Sequence, residues 1–275
     1  MNTGSTNVDD TFRERTVFVA GGTSGINLAI AHGFARRGAR VFVMSRSQDK
    51  VDAAVAELRG TAAAAAGYAA DVRDYAAVEA AITACRDTFG TIDVLVSGAA
   101  GNFVSPAAQL SANGFRTVVD IDLVGTFHVC RAAYEHLTRP GASIINISAT
   151  QAINPMPGQA HVCAAKAGID ALTKVLAIEW GPAGVRVNAI APGPVDETEG
   201  MARLTPTAAH RDRVLQAIPL RRYARLQEIA DTAAFLSGPA GANFNGAVLV
   251  CDGGQSTLGS GAFAAAWAEA EAAST

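Results

Sequence analysis

A chain of 275 residues, 49% of them hydrophobic, is long and apolar enough to bury the core of one large α/β domain. Its net charge of −3, with no basic block, argues against nucleic acid or an anionic membrane surface as a partner. Cys85, Cys130, Cys163 and Cys251 are widely separated, without metal-ligand spacing or the even framework of a small secreted domain, so reduced thiols and no metal are expected.

Residues 1–10 are polar and acidic, unlike a signal peptide. No run approaches the roughly 18 apolar residues of a membrane span. The closing Ala-Ala-Ser-Thr is neither a peroxisomal nor a retention tripeptide. Together these give the cytoplasm as the expected compartment.

Strand-like and helix-like stretches alternate along the chain. Val17-Phe18-Val19-Ala20 reads as a short apolar strand, followed by a glycine turn and a helix over 26–39. A strand follows at 40–45, a helix at 49–58, and an alanine-rich strand ending near 70. The pattern continues with a helix at 75–89, a strand at 92–97 and one long helix over 110–137. After it come a strand at 143–148, a second long helix at 159–179, a strand at 186–191, a helix at 227–237 and a strand at 247–251. Continuously apolar strands separated by helices predict a single Rossmann-like, doubly wound parallel sheet covered on both faces. Ligands of such a sheet bind at the carboxyl ends of its strands. The domain is expected over 15–257, with a disordered or extended segment at 1–14 and an alanine-rich tail at 258–275 that either packs weakly as a helix or frays.

The first turn carries the earliest chemical signal. A strand turning sharply into a helix N-terminus presents backbone N–H groups and the positive end of the helix dipole to an anion. Gly21 supplies a backbone conformation closed to other residues, and Gly25 allows a pyrophosphate close to the chain. Thr23 and Ser24 add hydroxyl donors, and Ile26 opens the helix. The spacing Gly-x-x-x-Gly-x-Asn differs from the common Gly-x-Gly-x-x-Gly fingerprint and is by itself a weak signal.

Read with the later segments, it gains specificity. The glycine turn, Asp71-Val72, Ile92-Asp93-Val94-Leu95-Val96, Pro192-Gly193 and Asp252-Gly253-Gly254 stand in the order and approximate spacing of one family. Over 15–254 the chain resembles the short-chain dehydrogenase/reductases. The resemblance implies a nicotinamide dinucleotide, with Asp71 and Val72 flanking the adenine and Ala99 along the cofactor ribose. It sets Pro192, Gly193 and Pro194 beside the nicotinamide. The second strand ends Ser45-Arg46, where an acidic residue would repel a 2′-phosphate. A guanidinium there can pair with that phosphate, so NADP(H) is the expected cofactor.

The chain departs from the family where carbonyl chemistry is usually done. Members that interconvert ketones and alcohols place a tyrosine four residues before a lysine. Here Lys166 is present and Val162 stands at the tyrosine position. Ala149 stands where a serine is usual, Asp122 replaces a helix asparagine, and Ser97-Gly98-Ala99-Ala100 replaces Asn-Asn-Ala-Gly. An isopropyl group cannot give a proton to a carbonyl oxygen.

These departures resemble one branch, the peroxisomal-type 2,4-dienoyl-CoA reductases. The matching stretches are Ala99-Ala100-Gly101-Asn102-Phe103, Asp120-Ile121-Asp122 with Gly125-Thr126-Phe127, and His161 five residues before Lys166. Ala191-Pro192-Gly193-Pro194 with Thr198-Glu199-Gly200 also matches. The resemblance implies an NADPH-dependent reductase of fatty-acid breakdown that yields a 3-enoyl-CoA. In it, Lys166 holds the nicotinamide ribose, and Asp122 with Lys166 orders the water that supplies a proton. Asn102, Phe103 and His161 are candidate substrate-binding residues.

Blander alternatives exist. Asp122 could serve only to bond backbone in a helix kink. The substrate could be a ketone, steroid or aromatic-derived compound, or the chain could bind NADP without catalysis. Arg203, Arg221 and Arg222 are candidate phosphate contacts or plain surface arginines. His32, His128, His136 and His210 look structural or exposed. The two long helices resemble those that form the family's four-helix interfaces, so a homotetramer acting on a small molecule, an acyl-CoA by the branch resemblance, is expected.

Overall fold

The computed structural model describes residues 11–259. The segments 1–10 and 260–275, which hold most of the expected N-terminal extension and alanine-rich tail, lie outside them. Among the described residues, seven parallel strands form one sheet in the order β3-β2-β1-β4-β5-β6-β7. They are β1 (Thr16–Ala20), β2 (Arg40–Ser45), β3 (Ala64–Ala69), β4 (Val94–Ser97), β5 (Ser143–Ile147), β6 (Arg186–Pro192) and β7 (Val248–Cys251). The helices are α1 (Gly25–Ala35), α2 (Gln48–Leu58), α3 (Tyr75–Phe89), α4 (Ala112–Val119), α5 (Gly125–Ala133), α6 (Ala160–Trp180), α7 (Glu199–Leu204), α8 (Ala208–Gln216) and α9 (Leu226–Ser237). No helix among the described residues is long and apolar enough to cross a membrane.

Strand periodicity explains the two cores. Successive side chains point to opposite faces, so Val17, Val19, Val41, Val43, Val94 and Val96 join Ile30, Phe34, Leu58 and Ile229 beneath α1, α2 and α9. Phe18, Phe42, Leu95, Ile144 and Val187 join Ile82, Val129 and Leu176 beneath α3, α5 and α6. Each such side chain, fully buried, contributes about 1.5–3 kcal/mol. This is why the strands read as unbroken apolar runs. Phe12 belongs to the first core at 1% exposure and packs edge-on against Phe34, so packing begins ahead of residue 15.

Three stretches differ from the sequence pattern. The helix expected over 26–39 stops at Ala35, because the chain turns through Gly38 at φ +85° to enter β2. The helix expected over 110–137 is not continuous: a π-helical turn, Asp120–Val124, separates α4 from α5, and a 3₁₀ turn closes it at Tyr134–His136. The Gly125 N–H reaches the Asp120 carbonyl five residues back, and the Thr126 hydroxyl donates to the Asp122 carbonyl at 2.6 Å. Finally, α7 and α8 occupy a stretch whose apolar pattern announces no helix. Thr198 and Thr207 start them, each accepting from a backbone N–H three residues on.

The sheet order places the site. The chain builds β1, β2 and β3 outward in one direction, then returns to lay β4 on the other side of β1. The crevice beyond the carboxyl ends of β1 and β4 is therefore the topological switch point, where ligands of such sheets bind. All four cysteines are free. Burial pushes the thiols of Cys85 and Cys130 up to about 12, which leaves both unreactive at neutral pH.

Candidate active site

The walls of the crevice are the glycine turn after β1 and the segment after β4. Gly21, at φ +76°, lies so close to Ala99 that a Cβ there would meet its Cα at 2.9 Å. Asn27 on α1 donates its amide to the Gly98 carbonyl at 2.7 Å and ties the two walls together. α2, α3 and α4 each begin on a side-chain cap, from Ser47, Asp74 and Ser111. α1 does not: Ser24 occupies its N-cap and makes no capping bond. Its hydroxyl and the first N–H groups of α1 are left for an anion, with Thr23, Gly25 and Ile26 around them.

At the end of β2, Ser45 is half-buried and Arg46 is exposed. Arg46 makes no hydrogen bond or ion pair with a described residue, yet its charge, with the bidentate Arg73, helps hold the Asp71 carboxyl below its ordinary range. Hydrogen bonding from Arg73 is the larger cause. Val72 is buried against Gly125, where a Cβ would come within 2.7 Å of it. At the other end, Pro192, Gly193 and Pro194 leave β6 pressed against Asp252, 2.6 Å from where a Gly193 Cβ would lie. The residues expected around a dinucleotide thus line one crevice. The close backbone approach, the uncommitted helix start and the unpaired guanidinium fit a phosphorylated nicotinamide dinucleotide.

Asp122 and Lys166 meet at the floor of the crevice. The Lys166 ammonium lies 3.2 Å from Asp122 Oδ2, with side chains 7% and 0% exposed. Asp122 Oδ1 accepts from the Gly101 N–H at 2.7 Å, and Lys166 donates to the Ile147 carbonyl at 3.0 Å. Oδ2 takes no hydrogen bond from any described residue beyond facing that ammonium. The π turn presents Asp122 here, and α6 presents Lys166. Val162, one turn earlier on α6, is buried and offers no proton.

A third wall is built from the loop after β4 and the start of α6. Phe103 packs on the fully buried His161 ring at a centroid distance of 4.3 Å. Neither ring nitrogen of His161 has a partner among the described residues. Phe103 also reaches toward Gly114 on α4, and Val104 lies against Gly158. Phe103, Val104, Phe115, Ile153 and Met156 all remain exposed, so this end is an apolar mouth. Two glutamines not singled out in the sequence tie the wall together: Gln151 donates to Gln159 at 3.1 Å, and Gln159 donates to Asn102 at 2.8 Å. No local pattern in the sequence marks either of them.

The three arginines considered for phosphate have protein partners instead. Arg203 pairs with Glu199, Arg221 donates to the Gln216 carbonyl, and Arg222 pairs bidentately with Glu228. That last pair, with Arg225, holds the Glu228 carboxyl down at about 2. His128 bonds the Val72 carbonyl through Nδ1.

Comparison with known proteins agrees with this geometry. A family model described as enoyl-(acyl carrier protein) reductase, of the short-chain dehydrogenase/reductase type, matches residues 20–256. A peroxisomal 2,4-dienoyl-CoA reductase, (3E)-enoyl-CoA-producing, from Pongo abelii is 43% identical over 247 residues, covering 89% of this chain and 85% of that protein. The chain belongs to the short-chain dehydrogenase/reductase family. Among solved members, a short-chain dehydrogenase from Bacillus anthracis is 37% identical with a TM-score of 0.78, covering 88% of this chain and 96% of that one. A short-chain dehydrogenase from Burkholderia cenocepacia, in complex with NADP, is 28% identical with a TM-score of 0.82, covering 89% and 99%. As a short-chain dehydrogenase/reductase, this chain is an oxidoreductase that uses a nicotinamide cofactor.

Proposed function

We propose that this chain is an NADPH-dependent reductase that converts a 2,4-dienoyl-CoA to a 3-enoyl-CoA in fatty-acid breakdown. The observation that carries the reading is the buried Asp122–Lys166 pair standing beside Val162, where a ketone reductase needs a phenol. The name of the Pongo abelii relative supports the same substrate.

The crevice from Gly21, Thr23, Ser24, Gly25 and Ile26 to Asp71, Val72, Ala99 and Pro192–Pro194 holds the dinucleotide in this reading. Ser45 and Arg46 take its 2′-phosphate, and Lys166 takes its nicotinamide ribose. When bound, NADPH supplies the hydride, which the terminal carbon of the conjugated system accepts. The chain must then stabilise negative charge on the thioester oxygen and deliver a proton to the α-carbon. Asn102 has no described acceptor for its amide nitrogen and is the donor to that oxygen. Lys166 adds positive charge, and Asp122 Oδ2, which faces the Lys166 ammonium, orders with it the water that gives the proton. Phe103, backed by the buried His161 ring, lines the acyl end, in an apolar mouth suited to a fatty chain.

The test is loss of NADPH absorbance with 2,4-hexadienoyl-CoA, run beside NADH and a simple ketone. Turnover of the dienoyl thioester with NADPH, and none of the ketone, is the expected result. Tight NADPH binding without turnover of the thioester overturns the reading.

Assembly and compartment belong to the same proposal. Ala164, Ala167, Ala171, Val175 and Ile178 form one exposed apolar stripe along α6, a surface suited to a second copy in a homotetramer. Light scattering that finds a monomer overturns the assembly. The cytoplasm remains the compartment of this reading, and fractionation of the source cells tests it.

A further inference from the structure

The two glutamines behind the apolar mouth have a direction. The Thr150 hydroxyl donates to Gln151 Oε1 at 3.5 Å, Gln151 Nε2 to Gln159 Oε1 at 3.1 Å, and Gln159 Nε2 to Asn102 Oδ1 at 2.8 Å. Every amide in this chain accepts on the side of Thr150 and donates on the side of Asn102. The oxygen of Asn102 is therefore held by Gln159, and its NH₂ group is the end without a partner among the described residues. Gln159 is 0% exposed, and its backbone is anchored at the start of α6, where Cys163 N–H bonds its carbonyl. It cannot turn alone without losing two hydrogen bonds, a costly loss for a buried amide.

We propose that Gln159 is a positioning residue that fixes the polarity of Asn102, so that the Asn102 side chain presents N–H, and never C=O, to the thioester oxygen. The inference rests on the proposed dienoyl-CoA reading. A flipped Asn102 would set a carbonyl oxygen against an oxygen that gains negative charge during the reaction. An asparagine free to rotate would spend part of its time in that orientation. Gln159 ties that choice to its own orientation through a single hydrogen bond, and Gln151 ties Gln159 in turn, so no one of these amides can turn alone without breaking bonds.

Gln159→Glu makes the decisive variant. An ionised carboxylate only accepts, so Asn102 turns to donate to it and offers its own carbonyl to the substrate. A protonated carboxyl can again donate to Asn102 Oδ1. Gln159→Met fills a similar volume and leaves Asn102 without a fixed orientation. Two readouts separate positioning from mere filling of space. The first is the pH profile of kcat for 2,4-hexadienoyl-CoA against wild type. The second is the ratio of dissociation constants for hexanoyl-CoA and its thioether analogue S-hexyl-CoA, in which the carbonyl oxygen is absent.

The expected result is a wild-type preference for the thioester of roughly 3- to 10-fold, the worth of one neutral hydrogen bond. In Gln159→Glu the preference disappears or inverts at high pH, kcat falls more than in Gln159→Met, and both recover relative to wild type as pH is lowered. NADPH affinity stays within about twofold throughout. An unchanged thioester preference in Gln159→Glu, or a Gln159→Met variant as impaired as Gln159→Glu with no recovery at low pH, overturns the inference and leaves the function intact. A wild-type protein that neither binds hexanoyl-CoA nor reduces the dienoyl thioester overturns both.

Discussion

Asn27 and Gly98 are in direct contact across the crevice: the amide of one donates to the carbonyl of the other at 2.7 Å, and a methyl group on Gly98 would fall 2.1 Å from Asn27 Oδ1. The glycine is there because the asparagine is. Gly98→Ala must push Asn27 off its bond and part the two walls. The expected cost is about 1–3 kcal/mol, or a Tm lower by roughly 2–4 °C for each of those units in a chain of this size. NADPH affinity falls with it. Thermal unfolding and a fluorescence titration check both, and an unchanged Tm with unchanged affinity counts against the contact.

Asp122 and Lys166 are expected to separate stability from chemistry. Lys166→Met leaves the Asp122 carboxylate buried with only the Gly101 N–H, a loss of about 3–5 kcal/mol. Adding Asp122→Asn removes the stranded charge and keeps an acceptor for Gly101, so the double variant is more stable than Lys166→Met alone. Its turnover stays lost. Asp122→Asn by itself lowers kcat by roughly 10²- to 10⁴-fold, with NADPH affinity nearly unchanged. A purely structural Asp122 would instead leave kcat near wild type wherever the fold survives.

In the proposed reading, Arg46 sets the cofactor preference. Removing one charge-assisted contact to a 2′-phosphate costs about 1.5–3 kcal/mol, so Arg46→Ala raises KM for NADPH roughly 10- to 100-fold. KM for NADH does not move, since it has no phosphate at that place. The wild-type preference also weakens with added salt, because Arg46 is exposed. Equal effects on the two cofactors would place the phosphate elsewhere.

Asp170 stands one turn beyond Lys166 on α6, buried, with Oδ1 unpartnered. Burial raises its pKa above the ordinary value of 3.8, and Ser148, Lys174 and Lys166 offset only part of that. With the folded value above the unfolded one, the folded state holds this proton more tightly. The stability so gained is complete below 3.8 and is lost as pH rises through the raised value. Asp170→Asn is therefore expected to raise Tm at neutral pH, with the gain shrinking in acid. A gain that grows in acid would reverse the sign of the argument.

The strands and the switch-point crevice were legible because two buried faces force unbroken apolar runs such as Val17-Phe18-Val19-Ala20. Asp122 and Lys166 were legible by their places in motifs, and α7 and α8 were not, since their polar surfaces leave only the Thr198 and Thr207 caps as signals. Gln159 could not be foreseen at all. Its role comes from facing Asn102 across 57 positions of chain, a relation that no local pattern encodes.

The π turn at Asp120–Val124 holds one residue more than a regular helix needs to cover the same rise. Each residue of a helix turns the chain by about 100°. Removing one residue here would straighten the rod and swing Val129, Cys130 and Ala133 off the sheet, or else carry Asp122 away from Lys166. The core-facing side of α5 and the ion pair can be satisfied together only at this length. Between α4 and α5 the protein therefore tolerates exchange of side chains far better than a change in their number, and its function depends there on counting as much as on chemistry.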